Sequence, residues 1–407
     1  MTTHLTVQHF LDGEGSTAGT SILGGRRIRD VEPKIALLGA DQAPMTALLS
    51  QLRKYPCTDP KIEWQEDVFP AVTDTITATS STDASVTATT AALWRAGDLW
   101  FNGDSGEVIL VTANSSGSLT VVRGVGDTDA QDIATADNWF YIANASETGS
   151  QARAKLTTQI TQPYNYCQLF KESFEVTGTL NATKLYGGPD LKYLRYKHAQ
   201  IHQRDKERSL WFGVRSKTVG TTGVTYTSKG LVGDATGDHG FITTNESVSN
   251  STGAYSETTF DTDLQTAFRY GSDTKFMFAS PMALSTVSSW GRSSIRDVPR
   301  ADTWGIAITR YISPHGELNI VNEKMLYDYS TAGTGGTWPA VGSFDLSKMA
   351  VILDLKNVYM RTLRDTQLEM GIQENDRDSI EDQYMTECGL QVVNQETCMA
   401  IYGFDIA

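Results

Sequence analysis

The chain has 407 residues, 40% of them hydrophobic and 20% charged, with 34 Lys and Arg against 48 Asp and Glu and a formal net charge of −14. That length and apolar share support two or three cores of ordinary domain size and exclude a disordered polymer. The acidic balance excludes a protein whose whole surface grips nucleic acid, because that binding neutralises phosphates with Lys and Arg; any DNA contact is local or absent.

In chain order, Met1 to Phe10 lacks the basic start and apolar core of a secretory signal, and no apolar run approaches the roughly 20 residues that span a bilayer. The expectation is synthesis and retention in the cytosol with no membrane contact. The first thirty residues, rich in Gly, Ser and Thr, read as an extended arm. Ala43-Pro-Met-Thr-Ala-Leu-Leu-Ser-Gln-Leu reads as a helix with Pro44 near its start. Lys61-Ile-Glu-Trp-Gln-Glu-Asp-Val-Phe alternates charged and apolar residues as a half-exposed strand does.

Residues 73–152 open on a Thr/Ser/Ala tract and then carry strand signals at short intervals. The clearest is Glu107-Val-Ile-Leu-Val-Thr-Ala, the turn Asn114-Ser-Ser-Gly, then Ser118-Leu-Thr-Val-Val-Arg. With Trp94, Trp100 and Trp139 nearby, this segment reads as a β-rich insertion with its own aromatic core.

Gly187-Gly-Pro-Asp starts, and Gly213 ends, a long helix over 190–212. Its apolar stripe of Leu191, Leu194, Ile201 and Leu210 is narrow, while six Lys or Arg face three acids, so it reads as basic and mostly solvated. After a Gly/Thr/Ser/Asn loop, helices are expected at Leu264 to Tyr270 and from Pro281, with strands at Thr274 to Ser280, Trp304 to Thr309 and Leu318 to Asn322. That mixture is α+β. Met349-Ala-Val-Ile-Leu-Asp-Leu, after the loop Thr331 to Gly342, reads as a buried strand. It is the natural partner for a terminal pair of apolar runs, Leu390-Gln-Val-Val and Cys398-Met-Ala-Ile-Tyr, hinged on Asn394.

Chemistry-bearing motifs are sparse. His198 and His202 share a helix face at metal-ligand spacing, but no Glu follows the first and no third ligand is evident, so they read as surface histidines. Asp234, Asp238 and His239 are hard ligands in a Gly-rich loop where a divalent cation is one reading and a flexible loop the other. Asp127, Asp129 and Asp132 lack the Gly and bidentate Glu of a calcium loop and read as a solvated acidic turn. Cys57, Cys167, Cys388 and Cys398 show no C-x-x-C spacing and read as buried reduced thiols. No phosphate loop, dinucleotide fingerprint or nucleophile elbow is present, so no catalysis, cofactor or metal is expected.

The order of arm, β-bearing excursion, long polar helix, α+β middle and returning strands resembles the major capsid proteins of tailed double-stranded DNA bacteriophages, whose fold also forms the floor of herpesvirus shells. On that resemblance Lys61 to Asp67 is similar to the ascending arm of an extended loop, Lys155 to Ile160 to its return, and Pro189 to Phe212 to a spine helix. Leu264 to Val321 is similar to an axial domain, and Met349 to Leu355 with Arg377 to Asn394 to returning peripheral strands. The implied organisation is an N-terminal arm and short helix over 1–58, loop arms over 59–72 and 153–170, and a β-rich insertion over 73–152. A peripheral domain follows over 171–240 and 346–407, with the axial domain over 241–345. The insertion exceeds a plain extended loop and would form a projecting barrel or hairpin.

The resemblance implies a non-enzymatic subunit of an icosahedral capsid, a component of the virion, assembling as hexamers and pentamers around double-stranded DNA. Its implied partners are other copies of itself, a separate scaffolding protein and a portal; whether the insertion binds a decoration protein stays open. Assembly contacts are expected at Lys61, Glu63, Trp64, Glu66, Arg195, Arg204 and Arg208. In some relatives subunits are cross-linked, which needs a Lys, an Asn and a carboxylate; Lys61 beside Glu63 is compatible with that. Two alternatives stay open. One is a phage tail or decoration protein. The other is a carbohydrate-binding or carbohydrate-cleaving β protein with exposed tryptophans and Glu63 and Glu66 as acids.

Overall fold

The computed structural model describes residues 43–51, 54–135, 137–183, 190–233, 239–243, 246–248, 255–290, 295–296, 308–329 and 346–404. The expected arm over the first thirty residues, the helix start at Gly187, the acids Asp234 and Asp238, most of the Trp304 to Thr309 run and the loop Thr331 to Gly342 lie outside them. The chain divides into two compact units, one made of 1–62 and 164–407 and the other of 63–163.

Among the described residues the larger unit is built on two main sheets, with Ser216–Val219 and Val224–Thr227 forming a separate two-stranded ribbon. The first has the order Lys54–Pro56, Val358–Met370, Ser379–Val392, Gln168–Thr177. Its centre is the long antiparallel pairing of Val358–Met370 with Ser379–Val392, interrupted by register shifts between Thr362 and Gln367. The helix Asp190–Phe212 packs on this sheet, and the short helix Pro44–Gln51 packs on the long helix.

The second sheet has seven strands, ordered Glu246–Val248, Met399–Tyr402, Met349–Leu353, Thr274–Ala279, Glu317–Asn322, Ile308–Ile312 and Ile295–Arg296. Every residue of Met349–Leu353 and Met399–Tyr402 is buried, as continuous apolar runs in a sheet covered on both faces should be. Helices Glu257–Ala267 and Pro281–Trp290 supply Phe260, Leu264, Ala283 and Val287 to the core on this sheet. Of the elements expected over Leu264 to Asn322, the strands Thr274–Ala279 and Glu317–Asn322 and the helix from Pro281 occur; the first helix runs over Glu257–Ala267, earlier than expected, because Ser256 caps it by accepting from Thr259 N–H.

The expected pairing of Met349–Leu353 with the terminal runs holds for the second run and not for the first. The two runs do not form one hairpin: the first ends Ser379–Val392 in the four-stranded sheet, and the second, Met399–Tyr402, pairs with Met349–Leu353 in the seven-stranded sheet. Asn394 makes the change of sheet by adopting a left-handed backbone (φ 51°), a conformation that Asn tolerates better than most side chains. Met349–Leu353 and Met399–Tyr402 therefore share a sheet with strands of the 241–345 segment rather than the sheet beside the long helix.

The smaller unit is a six-stranded antiparallel sheet ordered Thr73–Thr75, Asn138–Asn144, Asp98–Asn102, Val108–Ser115, Ser118–Val122, Ser85–Thr87. Its two edges meet. Thr77 N–H donates to Thr87 O (2.9 Å), Thr89 N–H donates to Thr75 O (3.0 Å), and Ile76 pairs with Ala88. The sheet thereby closes into a small barrel with no exposed edge between those strands. Ser116 and Gly117 both have positive φ (52° and 97°), the geometry that a two-residue hairpin needs to match strand twist. Trp94 stacks on Trp100 with centroids 3.9 Å apart, Trp139 lies edge-on to Trp94, and all three are buried with Ile109, Val111 and Leu119. Buried Glu107 receives a two-pronged ion pair from Arg123 (2.6 and 2.7 Å) and anchors the turn beyond it.

Candidate assembly surface

The face of Asp190–Phe212 against the four-stranded sheet is polar. Arg195 Nε donates to the buried Asp382 Oδ2 at 2.7 Å, His198 Nδ1 lies 2.7 Å from Glu172 Oε1, and His202 Nε2 lies 2.7 Å from Thr386 Oγ1. Lys206 Nζ donates to Thr366 Oγ1 at 3.3 Å and Ser209 Oγ to Gln168 Oε1 at 3.0 Å. Positions 195, 198, 202, 206 and 209 recur every three or four residues and so share one face of a helix. Opposite them, Asp382, Tyr384 and Thr386 alternate along a strand and point to one side of the sheet.

This arrangement corrects two expectations. The long helix is not mostly solvated, and its histidines are not surface residues: His202 is buried, and His198 stacks on Phe174 with centroids 4.8 Å apart. Burial, with nearby Lys206 adding like charge, pulls the His202 imidazole down to about 4. Thr386 gives its single hydroxyl proton to Thr366, so His202 is the donor in its own bond, from Nε2. Neither histidine is left to ligate a metal, and among the described residues no group of three His, Cys, Asp or Glu is placed to hold one.

The neighbouring buried acids serve the short helix. Glu207, fully buried, accepts from the N–H groups of Met45 (2.9 Å) and Thr46 (2.5 Å), so a residue of the long helix satisfies the first-turn donors of Pro44–Gln51. Burial raises Glu323, and the adjacent Glu207 raises it further, to about 10; Glu323 is the member of the pair that keeps its proton. Lys206 is also buried, and desolvation lowers its ammonium.

Of the residues singled out from sequence, Arg195 is held within the chain by Asp382, Arg208 is exposed and bonded to Asp205 (2.9 Å), and Arg204 is half-buried. Lys61 is exposed with its Nζ 4.6 Å from the Tyr164 ring centroid. Glu63 is exposed beside Gln162, while Trp64 is buried and donates from Nε1 to Glu66 Oε1 at 2.7 Å. His239 pairs with Val214 through a β-bridge, and Asp127, Asp129 and Asp132 are exposed.

A surface that charge and aromatic counting missed lies on the smaller unit. Glu66 and Thr161 exchange backbone hydrogen bonds (3.0 and 2.9 Å), and Thr158 Oγ1 donates to Asp67 at 2.7 Å, holding the chain segments into and out of the barrel side by side. They expose Phe69 (97%), with Val68, Val72 and Ile160 each more than half exposed. The signal was present in Asp67-Val-Phe-Pro-Ala-Val, where Pro70 prevents the apolar residues from continuing as a central strand. Trp94, Trp100 and Trp139 form the aromatic core expected of the insertion and offer no exposed ring to a sugar, and Glu66 is engaged by Trp64.

Comparison with known proteins supplies the family. The profile described as SU10 major capsid protein matches residues 6–405. The major capsid protein of Pseudomonas phage PaMx41 is 24% identical over 261 residues, 62% of this chain and 62% of that protein, so the match spans less than two thirds of the relative. The cyanophage A-1(L) capsid subunit superposes with a TM-score of 0.51 at 9% identity, covering 92% of this chain and 96% of that one. The capsid protein of a native GTA particle gives a TM-score of 0.49 at 10% identity, over 96% and 99% of the two chains. The α+β architecture is thus a capsid-subunit fold, as the cyanophage superposition shows, and the chain, matched over nearly its whole length, belongs to the SU10 major capsid protein family.

Proposed function

We propose that the chain is the structural subunit of an icosahedral viral shell, assembling as hexamers and pentamers around double-stranded DNA and acting by association rather than catalysis. The observation that carries this beyond family membership is the apolar face on the paired segments 63–72 and 153–163. Phe69, Val68, Val72 and Ile160 stand outside both cores, and an exposed apolar cluster gains free energy when another surface covers it. A second copy of the chain is the occupant that a closed shell supplies.

In this reading the helix Asp190–Phe212 with its four-stranded sheet is the peripheral domain, the seven-stranded sheet is the axial domain, and the barrel is an insertion within the extended loop. Lys61, Glu63, Arg204 and Arg208 are rim charges at subunit contacts, where they set register and salt dependence more than affinity. Assembly takes place in the host cytoplasm with a separate scaffolding protein, and the shell joins a portal. DNA contact inside is local, as the net charge of −14 requires.

The test is negative-stain electron microscopy of the particulate fraction after co-expression with the scaffolding protein, for the native chain and for Phe69→Asp. Closed shells from the native chain, with soluble folded subunits from the variant, support the reading. Small monodisperse species from the native chain, despite correct folding and the right scaffold, overturn it.

A further inference from the structure

Cys57 and Cys167 are 110 residues apart in sequence, yet their Sγ atoms are 3.4 Å apart. Backbone hydrogen bonds fix both positions. Cys57 N–H donates to Thr362 O at 3.0 Å, and Cys167 N–H donates to Pro60 O at 2.7 Å, three residues beyond Cys57. Both thiols are free in this structure, and side-chain rotation with a small closure of the gap would bring the sulfurs to bonding distance.

We propose that Cys57 and Cys167 are a disulfide-forming pair, reduced in a reducing medium and oxidised by a low-molecular-weight disulfide once the protein meets an oxidising one. The position gives the bond a structural consequence. The chain enters the barrel unit at residue 63 and leaves it at residue 163, and both cysteines lie in the larger unit just outside those points. A Cys57–Cys167 bond clamps the outgoing and returning segments and encloses the whole inserted unit in one covalent loop. Closing a loop of that length removes entropy from the unfolded chain.

The two thiols divide the chemistry by access. Cys57 is partly exposed and Cys167 is buried, so the Cys57 thiolate attacks one sulfur of oxidised glutathione, forming a mixed disulfide and releasing one glutathione thiolate. The Cys167 thiolate then attacks Cys57 Sγ and releases the second glutathione. The protein dithiol loses two protons and two electrons, and the small disulfide gains them as two thiols. Burial raises both thiols; at Cys57 the bond to Cys167 and the charge of Arg361 partly offset it. Oxidation is therefore slow at neutral pH and faster as pH rises. Because both groups belong to one chain, the inference stands apart from the shell reading.

The test uses the full chain, purified in reductant, exchanged into oxidised glutathione at pH 8, then denatured and alkylated with iodoacetamide. The expected mass gain falls from four alkyl groups to two. The tryptic map acquires a linked species joining Tyr55–Lys61 to Leu156–Lys171, and non-reducing electrophoresis shows a faster band. Cys57→Ser abolishes the linked species and Cys398→Ser leaves it intact; if Cys57→Ser fails to fold, the native peptide map decides alone. Four alkyl groups after complete exchange, or a linkage through Cys388 or Cys398, overturns the proposal.

Discussion

His202 Nε2 lies 2.7 Å from Oγ1 of Thr386, a residue 184 positions further along the chain, and both side chains are buried. This contact joins the long helix to the centre of the four-stranded sheet through an uncharged imidazole. Protonation would place a cation beside Lys206 in the same desolvated seam.

The pH dependence follows from the sign. His202 titrates at about 4 in the folded chain against 6.5 unfolded, so its contribution is fully present above pH 6.5 and is lost as pH falls through 4. Integrated over that window, the loss approaches about 3 kcal/mol, at ~1.4 kcal/mol per unit. Urea unfolding of the native chain and of His202→Gln at pH 7 and pH 4.5 checks it: the stability gap should shift toward the variant as pH falls.

Glu323 behaves in the opposite sense. Its carboxyl is raised to about 10 from 4.5, so its contribution is fully present below pH 4.5 and is lost as pH rises toward 10. Glu323→Gln keeps a neutral, similarly shaped group beside Glu207. The variant should gain on the native chain by up to ~1.4 kcal/mol per pH unit between pH 6 and 9. Thermal melts across that range provide the measurement, and a gap independent of pH would show that Glu323 is ionised when folded.

Lys275, fully buried, donates to the carbonyls of Ala267 (2.7 Å), Tyr270 (2.7 Å) and Thr397 (2.6 Å). It ties the end of Glu257–Ala267 to the segment that feeds the last strand. Lys275→Met removes the donors from three carbonyls and should cost about 3 kcal/mol or more. Chemical denaturation monitored by circular dichroism tests this, and a change under ~1 kcal/mol would contradict the assigned role.

The barrel has its own core, so its damage should stay local. Trp100→Ala removes one member of the Trp94 stack and should destabilise the inserted unit by about 3–5 kcal/mol. Limited trypsinolysis is expected to cut within 63–163 first, while the two-sheet unit resists. Simultaneous cleavage of both units would indicate that they unfold together.

Elements with strong local signals were legible in advance. Pro44 and Pro281 mark helix starts, the Asn114-Ser-Ser-Gly turn marks a hairpin, and the five buried residues Met349–Leu353 read as a central strand from their apolar run alone. The polar row at 195, 198, 202, 206 and 209 was not legible as a buried face, because hydrophobic periodicity records only apolar stripes. A hydrogen-bonded seam looks like a solvated helix until its partners at 382 and 386 are known.

By itself the sequence determined the α+β composition, the long helix, the separate tryptophan-rich insertion and the likeness in element order to tailed-phage capsid proteins. Those properties are written in local patterns of three to twenty residues. Tertiary structure alone decided that the terminal runs part at Asn394 into two sheets, that the insertion closes as a barrel through Ile76 and Ala88, and that Cys57 meets Cys167. Each of these is a pairing between strands or thiols, and the hydrogen-bonding capacity of a strand or the reactivity of a thiol is the same whichever partner it meets. The choice falls to the packing of the whole chain, where burial and register admit one partner.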